Sequence, residues 1–393
     1  MEKHVSKQYS VVIYALDVFF DLWIVLASVS LPSQCIIKIS LMEYYSKLSF
    51  RYIIVVATLI FCANSCNDSM HEKPMKLLAK STSQWTGVAV SSNGRVFVNY
   101  PKWSESIPMS VAEIVRGDAM PFPDEVWNAP NSSKFVSVQS VFVDDKDQLW
   151  ILDTRNPMFK GVLLDGPILY RFNLMTNQLV RSYKFPRGNY HTNSYFNDVR
   201  IDNHSGYAFI TDSGSGAIVV LNLETGASKR WLEKDPSTKF EVDHLVCKGA
   251  TWNGKVDVDG LALTPDREYL FYAALSGHSL YKISTKMLTN FNLDEQKMAT
   301  AVIRVGTIPA TDGMAFDKKG YLWLGGLEQN TINRRSPDGT IQSVWKDDHI
   351  KWADSFAIDE NGFVYFTTSQ IHLKPKQRGA YRLYQFHPDL LKE

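Results

Sequence analysis

From residue 86 onward, apolar and polar positions alternate in a pattern that recurs six times. The segments are TGVAV from Thr86, QSVFV from Gln139, NDVRI from Asn197, DGLAL from Asp259, DGMAF from Asp312 and DSFAI from Asp354. Each sets a polar residue ahead of an apolar-x-apolar triplet, the two-residue period of a short strand. Five residues beyond each first position stand Ser91, Asp144, Asp202, Thr264, Asp317 and Asp359, all able to bond their own backbone in a turn. Eleven or twelve residues beyond it come Phe97, Trp150, Phe209, Phe271, Trp323 and Tyr365, each inside a second apolar run. The repeating unit is a hairpin: strand, polar turn, aromatic strand.

The first positions lie 42 to 62 residues apart, which leaves room for about two more strands in each interval. After Asn197, for instance, AIVVLNL and ASKRWL flank the turn Glu224-Thr225-Gly226. Radial blades of four antiparallel strands suit this period, whereas a linear solenoid uses shorter, more regular repeats with capping units. The pattern predicts an all-β chain, a six-bladed β-propeller of four-stranded antiparallel blades over 75–393, as one domain. The last blade takes its outer strand either from AYRLYQF (380–386) or from residues just before Trp85. Segments 104–116 and 284–300 read as insertions or short helices.

Composition changes this picture little. The chain has 45% hydrophobic and 21% charged residues and a formal net charge of +1, which gives no reason to expect a nucleic-acid partner. The N-terminus adds a targeting signal. Lys47 and Arg51 precede the apolar run of RYIIVVATLIFCANSC (51–66), too short for a membrane span but suited to a signal-peptide core. ANSC followed by Asn67 and Asp68 has the form of a lipoprotein cleavage site with Cys66 acylated. Residues 42–66 are thus read as a signal, and 1–41 as an extension or as the result of a start truly at Met42. Residues 11–31 are long enough for a span but carry Asp17 and Asp21. The expectation is an exported monomer, secreted or held as a periplasmic or cell-surface lipoprotein, touching membrane only through that N-terminal anchor.

The repeat also bears on chemistry. Inner strands of a propeller run the same way around one axis, so their starts form a ring at the channel mouth. That ring would be Thr86, Gln139, Asn197, Asp259, Asp312 and Asp354. Three carboxylates, two amides and a hydroxyl without a basic residue raise a carboxyl pKa or demand a cation. Oxygen-only donors suit Ca²⁺ or Mg²⁺. The bland alternative is that these residues cap turns, as the dipeptide Asp259-Gly260 suggests by itself.

The loop RGNYHTNSYF (187–196) would bring Tyr190, His191, Tyr195 and Phe196 to the same mouth as ligand-binding side chains. Asp153, Arg155 and Asp212, at the ends of second strands, are pocket residues or structural turns. No nucleophile elbow, phosphate loop or dinucleotide fingerprint is present, and GSG (214–216) lacks a third glycine and a following helix. The histidines show no zinc-helix spacing, and Cys247 reads as a buried free thiol.

YPKW, PFPDEVWN, VQSVFVDDKDQLWILDT, LSGHSLYKISTKML and ADSFAIDENGFVYFTTSQI, spread over about 85–386, resemble the Yellow / major royal jelly protein family in a bacterial-type member. The resemblance implies a secreted six-bladed propeller; some relatives bind biogenic amines in the central channel and some insect members serve pigment chemistry, including dopachrome conversion. The insect proteins' cysteines are missing here, so their disulfides are not carried over. More distantly the chain is similar to the senescence marker protein / gluconolactonase family of metal-dependent lactonases. That likeness implies a metal set of Gln139, Asn197, Asp259 and Asp312, in which Gln139 replaces a Glu and Asp259 an Asn.

Three functions follow as expectations. The first is capture of a small amine or aromatic molecule by the ring, with Thr86 and Asp354 joining the aromatic loop. The second is a lactone or ester hydrolase using one divalent cation, Ca²⁺ by preference, with Asp312 or Asp259 activating water. The third is a protein-interaction scaffold. No nucleotide cofactor is expected.

Overall fold

Asp144, Asp317 and Asp359 show why the hairpin recurs. In each, Oδ1 accepts two turn N–H groups: Lys146 and Gln148, Lys319 and Tyr321, Asn361 and Phe363. Oδ2 then accepts from the aromatic of the next strand, Trp150 Nε1 at 2.8 Å, Trp323 Nε1 at 2.9 Å and the Tyr365 hydroxyl at 3.1 Å. One carboxylate shapes the turn and pins the core aromatic, which couples two of the sequence registers.

The computed structural model describes residues 75–130 and 133–390; the extension, signal and lipoprotein site read at 1–66 lie outside the described residues. Six four-stranded antiparallel sheets follow one another. Their inner strands are Val88–Val90, Val138–Val143, Phe196–Asp202, Val258–Leu263, Met314–Phe316 and Ala353–Ile358, and these define blades 1 to 6. Each inner strand neighbours the next, and blade 6 neighbours blade 1, so the ring closes. The chain is a six-bladed β-propeller.

Closure joins the two ends of the described chain. Met75–Ser81 pairs antiparallel with Tyr381–Phe386 as the outermost strand of blade 6. Of the two candidates, the strand before Trp85 is therefore the outer one, and AYRLYQF supplies the third. Segment 284–300 does hold the short helices Thr285–Leu288 and Glu295–Ala299. Segment 104–116 differs, because Val111–Val115 is the third strand of blade 1. Val111 and Ala112 are buried against neighbouring core, and that packing overrides a sequence with weak alternation.

Apolar side chains collect in six clusters, one at each seam between blades. Phe97 of blade 1 and Leu149 and Ile151 of blade 2, for example, share one cluster. A seventh lies among the loops, where the hairpin Leu245–Cys247/Ala250–Trp252 packs on Leu327 and Trp352. Cys247 is buried there as a free thiol, its pKa pushed up to about 12 by burial and by nearby Glu328.

Candidate functional site

Four of the six ring residues lie at a register shift of their inner strand. The pairing of inner and second strand breaks between Val138 and Ser140, Phe196 and Val199, Val258 and Leu261, and Ala353 and Phe356. Gln139, Asn197, Asp259 and Asp354 sit inside these bulges, which re-aim side chains next to sites. Asp259-Gly260 is thus not a turn before a strand but a bulge within one.

The ring residues interact in sequence around the axis. Trp103 Nε1 donates to the Tyr195 hydroxyl (2.6 Å), which donates to Gln139 Oε1 (2.8 Å). Gln139 Nε2 donates to Asn197 Oδ1 (3.1 Å), and Asn197 Nδ2 to Asp259 Oδ2 (2.6 Å). An indole only donates, so the tyrosine must pass its hydrogen on, and both amides are thereby oriented. Every dipole in the chain points towards Asp259. Phe159 stacks on Tyr195 with ring centroids 4.8 Å apart and covers this end.

Beyond Asp259 the acids crowd together. Asp312 lies within hydrogen-bond reach of both Asp259 and Asp354, and Trp352 Nε1 donates to Asp312 Oδ2 at 2.6 Å. Burial first, then the neighbouring carboxylates Asp198 and Asp354, holds Asp259 well above the usual carboxylate range. Asp312 is raised by burial and then by Asp354 and Asp259. Asp354 is raised to about 7, chiefly by burial. Among the described residues, no Lys, Arg or His forms an ion pair with any of the three. Among the described residues no donor is assigned to the buried Asp354 Oδ2, while Ser369 and Asp312 lie close to this carboxyl.

Thr86 serves the frame: its hydroxyl donates to the Gln139 carbonyl of the next blade at 3.2 Å and accepts from Asn99. Tyr195 reaches the ring through Gln139, as described. Tyr190 and His191 line a separate pocket of about 340 Å³ with Leu163, Leu164 and Arg187, and His191 pairs with Glu233 at 2.5 Å. Phe196 is wholly buried between blades 2 and 3 against Phe185.

Asp153 and Asp212 are turn residues of the same kind. Asp153 accepts the N–H groups of Val136, Ser137 and Arg155. Asp212 accepts from Ser194, Tyr195 N–H and Arg230. Burial opposes ionisation of Asp212, but Arg230 and these hydrogen bonds outweigh it and hold the carboxyl below its ordinary value. Arg155 pairs with Asp165 at 2.8 Å.

The predicted metal set was Gln139, Asn197, Asp259 and Asp312. In the observed arrangement Gln139 Oε1 and Asn197 Oδ1 accept protein hydrogens, and an amide N–H, not an oxygen, faces Asp259. Coordination by all four needs that run to reorganise. Among the described residues no group of three or more His, Cys, Asp or Glu is placed to hold a metal ion.

Two participants escaped the sequence reading. Asp198 and Arg200 stand one and three positions after Asn197, where the other repeats carry Gly or Ser and Ala or Phe. Asp198 accepts from Ser140 at 3.1 Å and adds its charge to the acidic group above it. The same alignment shows Asp198 as a departure from Gly or Ser and Arg200 as a departure from Ala or Phe.

The propeller is shared with gluconolactonase XC5397 of Xanthomonas campestris, 12% identical with a TM-score of 0.50 over 79% of this chain and 88% of that one. It is shared equally with a luciferin-regenerating enzyme, 10% identical with a TM-score of 0.51 over 80% and 94%. Both likenesses are of fold. In sequence the chain is 26% identical to Protein yellow of Drosophila pseudoobscura pseudoobscura over 222 residues, 49% of this chain and 38% of that protein. It is 22% identical to Major royal jelly protein 6 of Apis mellifera over 54% of this chain and 50% of the relative. The chain therefore spans half or less of the length of these curated relatives. The family model for major royal jelly proteins matches residues 136–378, more than half of the chain. The chain belongs to the major royal jelly protein family.

Proposed function

We propose that the acidic ring captures a small organic cation, an amine carried on an aromatic or compact apolar body. One observation carries this reading: Asp259, Asp312 and Asp354 are buried beside one another and, among the described residues, have no basic partner. Buried carboxylates in that state gain from any cation that reaches them. An ammonium group supplies both charge and three N–H donors. The stacked rings of Trp103, Phe159 and Tyr195 beside Gln139 offer faces for an aromatic body or for cation–π contact. A simple amine needs no rearrangement of Gln139 and Asn197, which is why it is preferred to a divalent metal and to lactone hydrolysis. The same reading makes the chain an exported protein, supported by the apolar run and cysteine at 51–66.

Calorimetric titration with tyramine and dopamine at pH 8, with and without CaCl₂, tests this. One-to-one binding tighter than about 100 μM, weakened at least tenfold (about 1.4 kcal/mol) in Asp259→Asn/Asp312→Asn, is the expected result. Silence towards both amines sinks it, and saturation by Ca²⁺ alone replaces it with the metal reading. N-terminal sequencing of the mature chain tests export.

A further inference from the structure

The channel contains a second compartment, at the end opposite the acidic ring. A cavity of about 290 Å³ lies between the inner strands and their turns, and none of the six ring residues lines it. Phe142, Phe316, Phe356 and Ala357 give its wall apolar faces, and Asp198 lines it beside Arg200.

Arg200 crosses the channel beside this cavity. It stands on the inner strand of blade 3 and donates Nη2 to the Met314 carbonyl of blade 5 at 2.7 Å. Nη1 donates to the Val199 carbonyl, also at 2.7 Å. The guanidinium thus bridges non-adjacent blades across the channel, stacked 5.4 Å from the Phe142 ring. Arg200 is 8% exposed and lines the cavity, and among the described residues its Nε meets no acceptor.

Two guanidiniums, Arg200 and Arg267, and one carboxylate, Asp198, line this inner end. Asp198 meets Arg200 only at 3.4 Å. Burial raises the Asp198 pKa against the opposing pull of Arg200. Arg267, the other basic residue of the cavity, is already paired with Asp145 at 2.6 Å and Asp202 at 3.5 Å. Three of the five guanidinium N–H groups are engaged, one of them in the long ion pair, and the remaining two suit a carboxylate. The volume lies near the lower end of the roughly 300–1,000 Å³ of ligand pockets, so one aromatic ring fits.

We propose that this cavity is a second binding site, selective for a small aromatic carboxylate whose anion meets Arg200 and whose ring lies among Phe142, Phe316 and Phe356. The site is independent of cation capture at the ring, and each stands or falls alone.

Phenylacetate, phenylacetamide and phenethylamine have nearly one shape and differ in charge. Titrated into the full chain, phenylacetate should bind one-to-one, and phenethylamine should not displace it. Arg200→Gln should weaken phenylacetate at least tenfold while changing phenylacetamide less than twofold. Ala357→Phe fills the cavity but leaves Arg200 in place, and should abolish binding of both; circular dichroism and Tm check that each variant folds. Asp312→Asn should leave phenylacetate affinity within twofold. No phenylacetate binding at 10 mM, or unchanged affinity in Ala357→Phe, overturns the proposal. Equal losses of acid and amide in Arg200→Gln remove the selectivity for an anion.

Discussion

Trp352 donates its indole N–H to Asp312 Oδ2 across 2.6 Å, joining a wholly buried loop tryptophan to an axial carboxyl. Trp352 also packs edge-on against Trp252, with centroids 4.9 Å apart, and stacks on His372. Burial lowers the His372 pKa to about 4, with Lys351 and Arg378 adding to the effect, so the stacked imidazole is neutral at pH 7. The position of Asp312 is therefore decided by the loops over the propeller as well as by its own strand.

Trp352→Phe keeps most of the packing and removes that donor. The buried carboxyl then loses a bond that lowers its pKa, so the Asp312 pKa should rise further. Urea denaturation should show a loss of about 1–3 kcal/mol, and carboxyl ¹³C shifts across a pH series should show the higher midpoint. Full stability with an unchanged midpoint contradicts the coupling.

The acidic group makes stability depend on pH with a definite sign. Asp354, raised to about 7 chiefly by burial, keeps in the folded chain a proton that the unfolded chain releases near pH 4, roughly the model-peptide value. The folded state then binds more protons across that window, so stability is fullest below it and falls as pH rises through about 7. Asp259 and Asp312 act in the same direction. Tm measured from pH 4 to 8 should fall, and Asp354→Asn should flatten the curve. A bound amine should raise Tm more at pH 8 than at pH 5.

Gly260 permits a close approach that any side chain prevents. A Cβ there would collide with the Asp312 carbonyl oxygen of the neighbouring blade. Gly260→Ala should cost about 1–3 kcal/mol by overpacking and weaken amine binding, because Asp259 and Asp312 are pushed apart. Gly379→Ala meets nothing within 4 Å and should leave both stability and binding unchanged. Denaturant midpoints and calorimetry on the two variants decide the matter.

The turn-to-aromatic hydrogen bonds are separable from the site. Trp150→Phe and Trp323→Phe each strand one oxygen of a turn carboxylate and should each cost about 1–3 kcal/mol. They lie in blades 2 and 5, so the double variant should be additive within about 0.5 kcal/mol. Amine affinity should stay within twofold in both. A larger coupling energy means that the blades communicate through the axis.

The repeat was legible because each blade solves one local problem with one short pattern. Asp317 and Trp323 serve the same turn six residues apart, so their spacing survives in the chain as a register. The six ring positions were legible for the same reason, since inner-strand starts are equivalent by construction. Tyr190, His191 and Phe196 show the limit. Adjacency to Asn197 gave them one address, while the loop's own hydrogen bonds and the seam between blades 2 and 3 gave them others.

Local side-chain periodicity and turn chemistry were thus enough to determine blade number, strand order within a hairpin and the six equivalent positions at the inner strands. Tertiary structure alone decided that Met75–Ser81 closes blade 6, because that pairing joins segments about 300 residues apart and leaves no short-range pattern. It also decided that Asp259-Gly260 is a bulge, since the need for glycine comes from the Asp312 carbonyl of another blade. The orientation of Gln139 and Asn197, the crowding of three acids and the bridging of the channel by Arg200 are likewise contacts between blades. Their energies depend on burial and on which donor faces which acceptor, and those quantities come into being only when the ring closes.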